Sequence, residues 1–261
     1  MTNDQRKPVM AGNWKMNINH LESIAYMNKM AFSLIDADYA RTEVVIFPPF
    51  TDIRSVQTVV DADHLSITYG AQDISAHDSG AYTGEISGSM LKKLHTKYAL
   101  IGHSERRAYH NETDESVNAK VKAAIKHDLI PMIAVGETLD IRQSGNAVEH
   151  TLNQVQGALK DVRSNYVSEL VIAYEPVWAI GTGEVATPQD AQDMSIAIRA
   201  KVAKLYSQDV ADKVRILYGG SVKAGNIKAI MEQPDVDGAL IGGAALDPDE
   251  FLRIIRWPDQ P

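Results

Sequence analysis

The chain has 261 residues, 44% of them hydrophobic, and it contains no cysteine. That excludes a disulfide scaffold, thiolate zinc sites and a cysteine nucleophile, and it is compatible with a reducing cytoplasm. The formal charge of −8 at pH 7 argues against nonspecific attraction to nucleic acid or to an anionic membrane.

The N-terminal stretch MTNDQRKPVMAGNW carries no long apolar run after its charges, so no signal peptide is read. Nor does any apolar run approach the ~20 residues of a membrane-spanning helix. The expectation is a soluble cytoplasmic enzyme with a small-molecule substrate. Asn111-Glu112-Thr113 is formally a glycosylation sequon, but without secretion it carries no meaning.

In chain order, PVMAGNW (8–14) reads as a first strand, followed by Asn13 and Lys15 at its end. Leu21, Ile24, Met27, Met30, Ala31 and Leu34 then fit one face of a helix. EVVIFPP (43–49), SITYGAQ (66–72) and KYALIGH (97–103) are the next strands, the last ending on His103. SERRAYH can begin a helix directly after it, and HNETDE (110–115) reads as a solvated acidic helix start. LIPMIAVG (129–136) and LVIAYEP (170–176) follow, the second ending on Glu175. Thr187-Pro188-Gln189-Asp190 has the form of a helix start, with threonine as N-cap and proline in the first turn. Met194, Ala197, Ile198, Val202 and Leu205 supply that helix with an apolar face. VRILYGG (214–220) and VDGALIGG (236–243) complete the strands.

These runs are apolar on successive residues rather than alternating, as parallel strands covered on both sides require. Eight β-then-α units without a linker predict one α/β domain over residues 1–261, a (β/α)₈ barrel, whose usual size is ~250 residues. A doubly wound open sheet competes, but the count of eight and the polar residues at strand ends favour closure. Active sites of such barrels lie at the C-terminal ends of the strands. Asn13, Lys15, His103, Glu175 and the glycine turns Gly219-Gly220-Ser221 and Gly242-Gly243 are therefore expected to share one mouth.

Each residue has an ordinary reading beside the catalytic one. A lone glutamate closing a strand is usually a surface residue. Here Tyr174, Pro176 and Trp178 flank Glu175, and shielding from water raises a carboxylate's pKa and makes it a stronger base. One carboxylate suits proton abstraction better than glycoside hydrolysis, which normally uses two. His103 at a helix start is expected to stay neutral, able to donate a hydrogen bond to a carbonyl oxygen. Lys15 would attract an anionic substrate and stabilise negative charge on oxygen, with Asn13 beside it. The two glycine turns, with Ser221, fit phosphate binding after the seventh and eighth strands. Gly181-Thr182-Gly183-Glu184-Val185-Ala186 satisfies GxGxxA. Pro176, Val177 and Trp178 intervene between its strand and the glycines, however, and no strand-end acid follows at the right distance, so a dinucleotide site is rejected. The eight histidines are scattered and no HExxH occurs, so no metal is expected.

GNWKMN (12–17), GAYTGEIS (80–87), IGHSERR (101–107), AYEPVWAIGTG (173–183), YGGSV (218–222) and DGALIGGA (237–244) together resemble the triosephosphate isomerase family, in its order and spacing. The resemblance implies cofactor-free interconversion of dihydroxyacetone phosphate and D-glyceraldehyde 3-phosphate through an enediolate, in glycolysis and gluconeogenesis. It implies Glu175 as base, His103 as neutral electrophile, and Lys15 and Asn13 as electrostatic groups. Asn13, Lys15, Gly181, Ser221, Gly242 and Gly243 would bind substrate. Glu105 would position Lys15, and Arg199 with Asp237 would form a structural salt bridge. Residues 176–183 would act as a lid. Thr83 and Glu85 would lie in a loop that enters the partner of a homodimer.

Three positions depart from the family pattern: Ala134 where many relatives carry cysteine, Asp73 in place of asparagine, and Glu184-Val185-Ala186 in place of Lys-Thr-Ala. A sugar-phosphate epimerase or an aldolase is the rival enzyme, but an aldolase needs a Schiff-base lysine on a barrel strand. A non-catalytic phosphate-binding barrel would be expected to lack one of Lys15, His103 and Glu175.

Overall fold

The computed structural model describes residues 6–179 and 186–259. Its strands are β1 (Val9–Asn13), β2 (Glu43–Phe47), β3 (Thr68–Ala71), β4 (Tyr98–Ile101), β5 (Ile130–Val135), β6 (Val171–Tyr174), β7 (Arg215–Tyr218) and β8 (Gly238–Ile241). All eight lie within the apolar runs read from the sequence. Each pairs in parallel with the next, and β1 pairs in parallel with β8 through the register Val9↔Gly238 to Gly12↔Ile241. The sheet is a closed barrel.

Period-two alternation divides every strand between two cores. Val9, Ala11, Val45, Phe47, Tyr98, Leu100, Met132, Ala134, Val171, Ala173, Leu217 and Leu240 form a cluster drawn from strands alone, which fills the barrel. Their neighbours Met10, Val44, Ile46, Ile133, Ile172 and Ile216 belong to the larger cluster shared with the helices. Ala134 thus packs inside the barrel. Gly70 keeps that interior open: a Cβ there would lie 2.2 Å from the Phe47 ring.

Helix starts follow the expected chemistry. The Thr187 side chain accepts from Asp190 N–H at 3.1 Å and Pro188 opens the helix Pro188–Leu205. One helix face is rotated from expectation. In the helix His20–Ser33 the buried residues are Ser23, Tyr26, Met27 and Met30, whereas Leu21 and Ile24 are exposed. Tyr26 sets this rotation by stacking edge-on against Trp14 at 4.8 Å and donating to the Ala245 carbonyl. Leu205, at the frayed end of its helix, is also exposed.

The segment 110–115 differs from its expected solvated character. Thr113 does cap the helix Asp114–Lys126, but Glu112 is buried in a closed ring of charges. Lys120 contacts Asp73 at 2.6 Å and Glu112 at 2.5 Å, and Arg106 contacts Glu112 at 2.6 Å and Asp73 at 2.7 Å. Asp73 therefore has its charge partners inside its own chain. Burial still raises its pKa, against the pull of Lys120 and Arg106. The Arg199–Asp237 pair is present at 2.8 Å, and Arg6 holds the other carboxylate oxygen at 2.7 Å.

At the N-terminal ends of the strands, Glu43 accepts from Arg215 at 2.6 Å, Lys97 at 2.7 Å and Tyr98 at 2.9 Å, tying β2 to β4 and β7. Burial raises its pKa, but Lys97 and Arg215 outweigh that and bring it from 4.5 to about 2. A depressed pKa means this stabilisation is complete above pH 4.5 and is lost as pH falls toward about 2. Discounted for partial screening by water, it amounts to about 2 kcal/mol. Glu43→Gln should therefore be less stable than wild type by about that amount at pH 7, with the gap closing by about pH 2, as read by denaturant unfolding across pH.

Candidate active site

Five loops at the carboxyl ends of the strands, those after β1, β4, β6, β7 and β8, converge on a cavity of about 720 Å³. Its lining includes Asn13, Lys15, His103, Glu175, Ser221, Gly242 and Gly243, together with the β8 residue Leu240. All the described substrate or catalytic positions expected from the sequence are in that wall. Gly181 and residues 182–185 lie outside the described residues, as do most of the GxGxxA run and residues 180–183 of the expected lid.

Asn13 ends β1 and is buried; its Oδ1 accepts the Lys15 N–H at 3.0 Å. Lys15 takes a left-handed backbone with φ 53°, an uncommon conformation for a side-chain-bearing residue and one that clusters at functional sites. The Gln72 amide braces this turn by donating to the carbonyls of Lys15 and Phe47, both at 2.9 Å. The Lys15 ammonium lies 2.5 Å from Glu105, and a Cβ on Gly242 would sit 3.4 Å from Lys15 Cε. Lys15 therefore bridges the β4 side of the mouth and the β8 turn.

His103 is the N-cap of the helix Ser104–His110, and its Nδ1 accepts the Glu105 N–H at 3.3 Å. That leaves Nε2 as the protonated ring nitrogen of the neutral imidazole. Nε2 lies 2.9 Å from Glu175 Oε1. Glu175 follows β6 and is 2% exposed. The Ser104 N–H donates to its Oε2 at 3.0 Å and the Ser104 hydroxyl to Oε1 at 3.4 Å. Gly219 leaves room for it, since a Cβ there would lie 3.0 Å from Glu175 Cγ.

The electrostatics differ from the expectation drawn from flanking residues. Burial raises the Glu175 pKa, but the His103 ring and the Ser104 amide outweigh it and hold the carboxyl below its ordinary range. Burial lowers the His103 pKa, but the neighbouring Glu175 carboxylate reverses that, and the imidazole lies above its ordinary value. Burial is the largest single influence on each group and acts in the expected sense. The charge and hydrogen-bond contacts around the pair, which only the fold creates, together reverse it.

The Tyr174 side chain points away from this pair and donates to the fully buried Glu137 at 3.1 Å. Arg142 contacts Glu137 at 3.1 Å and Asp190 at 2.6 Å, and its guanidinium lies 4.1 Å over the Trp178 ring. Trp178 belongs to a buried 3₁₀ turn, Val177–Ala179. Arg142 thus grips the chain on both sides of residues 180–185.

Glu105 stays outside the cavity wall and touches two residues of it, Lys15 through its carboxylate and His103 through its backbone N–H. Thr83 and Glu85 are exposed and line no part of the cavity. Sequence reasoning did not single out Ser104, Gln72, Glu137, Arg142 or Lys223. Ser104 alone had a local signal, as the residue between His103 and Glu105 at a helix start. Among the described residues no group of three or more His, Asp or Glu side chains is arranged to hold a metal ion, and no helix is long and apolar enough to cross a membrane.

A family model described as Triosephosphate isomerase matches residues 8–257. The chain is 65% identical over 255 residues to the triosephosphate isomerase of Streptomyces avermitilis, covering 98% of this chain and 99% of that one. The triosephosphate isomerase of Streptomyces coelicolor shows the same identity and coverage. That of Saccharopolyspora erythraea is 55% identical, over 95% of each chain. Identity of this extent, together with a family match over nearly the whole length of a closed eight-stranded barrel, places the chain in the triosephosphate isomerase family.

Proposed function

We propose that the chain interconverts dihydroxyacetone phosphate and D-glyceraldehyde 3-phosphate without a cofactor, through an enediolate, in glycolysis and gluconeogenesis. The observation that carries this reading is a buried carboxylate, an imidazole N–H and an ammonium in one cavity with two glycine turns. Glu175 takes a proton from the carbon next to the carbonyl and returns it to the other carbon. The His103 Nε2–H and the Lys15 ammonium stabilise the oxygen on which charge develops, and His103 then moves protons between the two oxygens. Asn13 holds the Lys15 turn, and Ser221, Gly242 and Gly243 take the phosphate through backbone N–H groups, with Gly181 as a further contact.

The pair geometry carries a mechanistic consequence. For His103 Nε2–H to meet a carbonyl oxygen, the Glu175 carboxylate has to leave it. Leaving Nε2 and the Ser104 amide removes the contacts that lower the Glu175 pKa, while its burial remains. The base is therefore strengthened by the displacement that brings substrate in. Holding Nδ1 against the Glu105 N–H places the proton of the neutral imidazole on Nε2, so Nε2 is the nitrogen that gives up and regains a proton as the two oxygens exchange it.

The chain acts as a homodimer in the cytoplasm. Support comes from the exposed loop bearing Thr83 and Glu85, from Tyr82 at 45% exposed, and from Met16 at 96% exposed beside the Lys15 turn. A subunit interface at these residues would cover apolar surface next to the site and steady Asn13 and Lys15. Sedimentation equilibrium at micromolar protein should give twice the chain mass; a monomer of full activity overturns this part.

An NADH-coupled assay with glyceraldehyde 3-phosphate should detect rapid turnover by the purified protein; folded but inactive protein would favour a binding-only barrel. Glu175→Asp retracts the carboxylate by one methylene and should lower kcat by about 10²-fold or more, with thermal stability nearly intact. His103→Gln should lower kcat by about 10²–10⁴-fold. Its inhibition constant for inorganic phosphate should stay close to wild type, because the phosphate contacts lie on the other turns.

A further inference from the structure

Lys223 also lines the cavity, at the exposed rim of the turn after β7. It is the N-cap of the helix Ala224–Met231, and its side chain makes no cap hydrogen bond there; instead the Asn226 side chain accepts the Lys223 N–H at 2.8 Å. The Asn226 contact supports the helix start, but a lysine side chain at its N-cap opposes it in two ways. An N-cap favours Ser, Thr, Asp or Asn, and a cation at a helix N-terminus is repelled by the helix dipole. A residue that costs its own helix stability while facing a binding cavity is the pattern expected of a functional position.

The charge arrangement around the cavity gives it a role. Among the described lining residues Lys15 and Lys223 are the cations, and Lys15 is paired with Glu105 at 2.5 Å. The acids of the wall are engaged. Glu175 is held by His103 and Ser104, Asp247 accepts the Asp249 N–H at 2.9 Å, and Glu250 accepts the Ala224 N–H at 2.8 Å and pairs with Arg253. The Lys223 ammonium has no ion-pair partner among the described residues, in a chain of net charge −8. An unmatched cation at the mouth of an anion site raises capture of a doubly charged ligand more than of a singly charged one.

We infer that Lys223 is a second substrate-binding cation, which captures the phosphate dianion and sets the site's preference for dianionic over monoanionic phosphate esters. The inference rests on the proposed isomerase reaction for its substrate, but not for its chemistry.

The test compares wild type, Lys223→Gln and Lys223→Arg. At about 10 mM ionic strength, kcat/KM for glyceraldehyde 3-phosphate should fall about three- to tenfold in Lys223→Gln, carried by KM. The gap should close to less than about twofold near 0.2 M salt, where the Debye length is short. The inhibition constant of inorganic phosphate should rise by a similar factor at about pH 7.5, where the dianion is abundant, and change little at about pH 5.5, where it is protonated. Lys223→Arg should recover most of each effect. The thermal midpoint of Lys223→Gln should equal or exceed wild type, because the substitution removes a repelled charge from the helix start.

A Lys223→Gln protein with unchanged kcat/KM, salt slope and phosphate inhibition overturns the inference. So does a lower thermal midpoint that accounts for the lost activity, which would make the lysine structural. If wild type proves inactive, phosphate affinity measured by calorimetry on the same three proteins decides the Lys223 question by itself. In that case the reaction fails while the cation site stands or falls separately.

Discussion

The ladder between β1 and β8 is the contact on which everything else depends. Without it the chain would be an open sheet, with Asn13 and Lys15 at one edge and Gly242 and Gly243 at the other. Closing the register Val9↔Gly238 to Gly12↔Ile241 brings Gly242 against the Lys15 side chain. It also sets all eight strands pointing the same way around one interior, so every β-to-α turn opens on one rim. A parallel ladder of this kind joins residues more than two hundred positions apart, and its stability comes from burying both faces of the sheet.

Around that rim the charges are kept from neutralising one another at random. Glu43, Arg215, Lys97 and Tyr98 satisfy one another at the opposite end of the barrel, and Asp73, Glu112, Lys120 and Arg106 form their ring beneath the helix that begins at Ser104. Burying ions costs desolvation, so each of these groups has its partner at hydrogen-bond distance. What remains at the mouth is a small set: Glu175 against His103, Lys15 against Glu105, and Lys223 unmatched. In the proposed reaction the first pair must separate when substrate arrives, and the anionic substrate supplies the charge that the cations lack.

Proximity in sequence and proximity in function diverge sharply at Tyr174 and Glu175. The two are adjacent, yet one side chain joins Glu137 and the other joins His103. A strand that ends at a barrel rim turns successive side chains to opposite sides, so the base faces the cavity while its neighbour anchors the turn from behind. Arg142 extends this anchoring to Trp178 and Asp190, linking the chain before and after residues 180–185.

The eight strands, their parallel character and their polar ends were legible from the sequence because continuous apolar runs with helical spacing between them have few other folds available. So were Glu175, His103, Lys15 and Asn13, since each stands at the end of such a run, and Ser221 with the glycines that follow β7 and β8. The rotation of the helix His20–Ser33 was not legible, because Leu21 and Ile24 satisfy the same periodicity as the face that packs; the choice was made by Tyr26 meeting Trp14 and Ala245. The burial of Glu112 was equally hidden, since its cations Arg106 and Lys120 lie six and eight residues away in sequence but the Asp73 that shares them lies thirty-nine away. Local composition determines which groups are available, and the sequence alone determined that. The tertiary structure decided which charge each group faces, and so the direction of the Glu175 and His103 pKa shifts, because Coulomb attraction and hydrogen bonding at this distance together outweigh burial, the largest single effect on each.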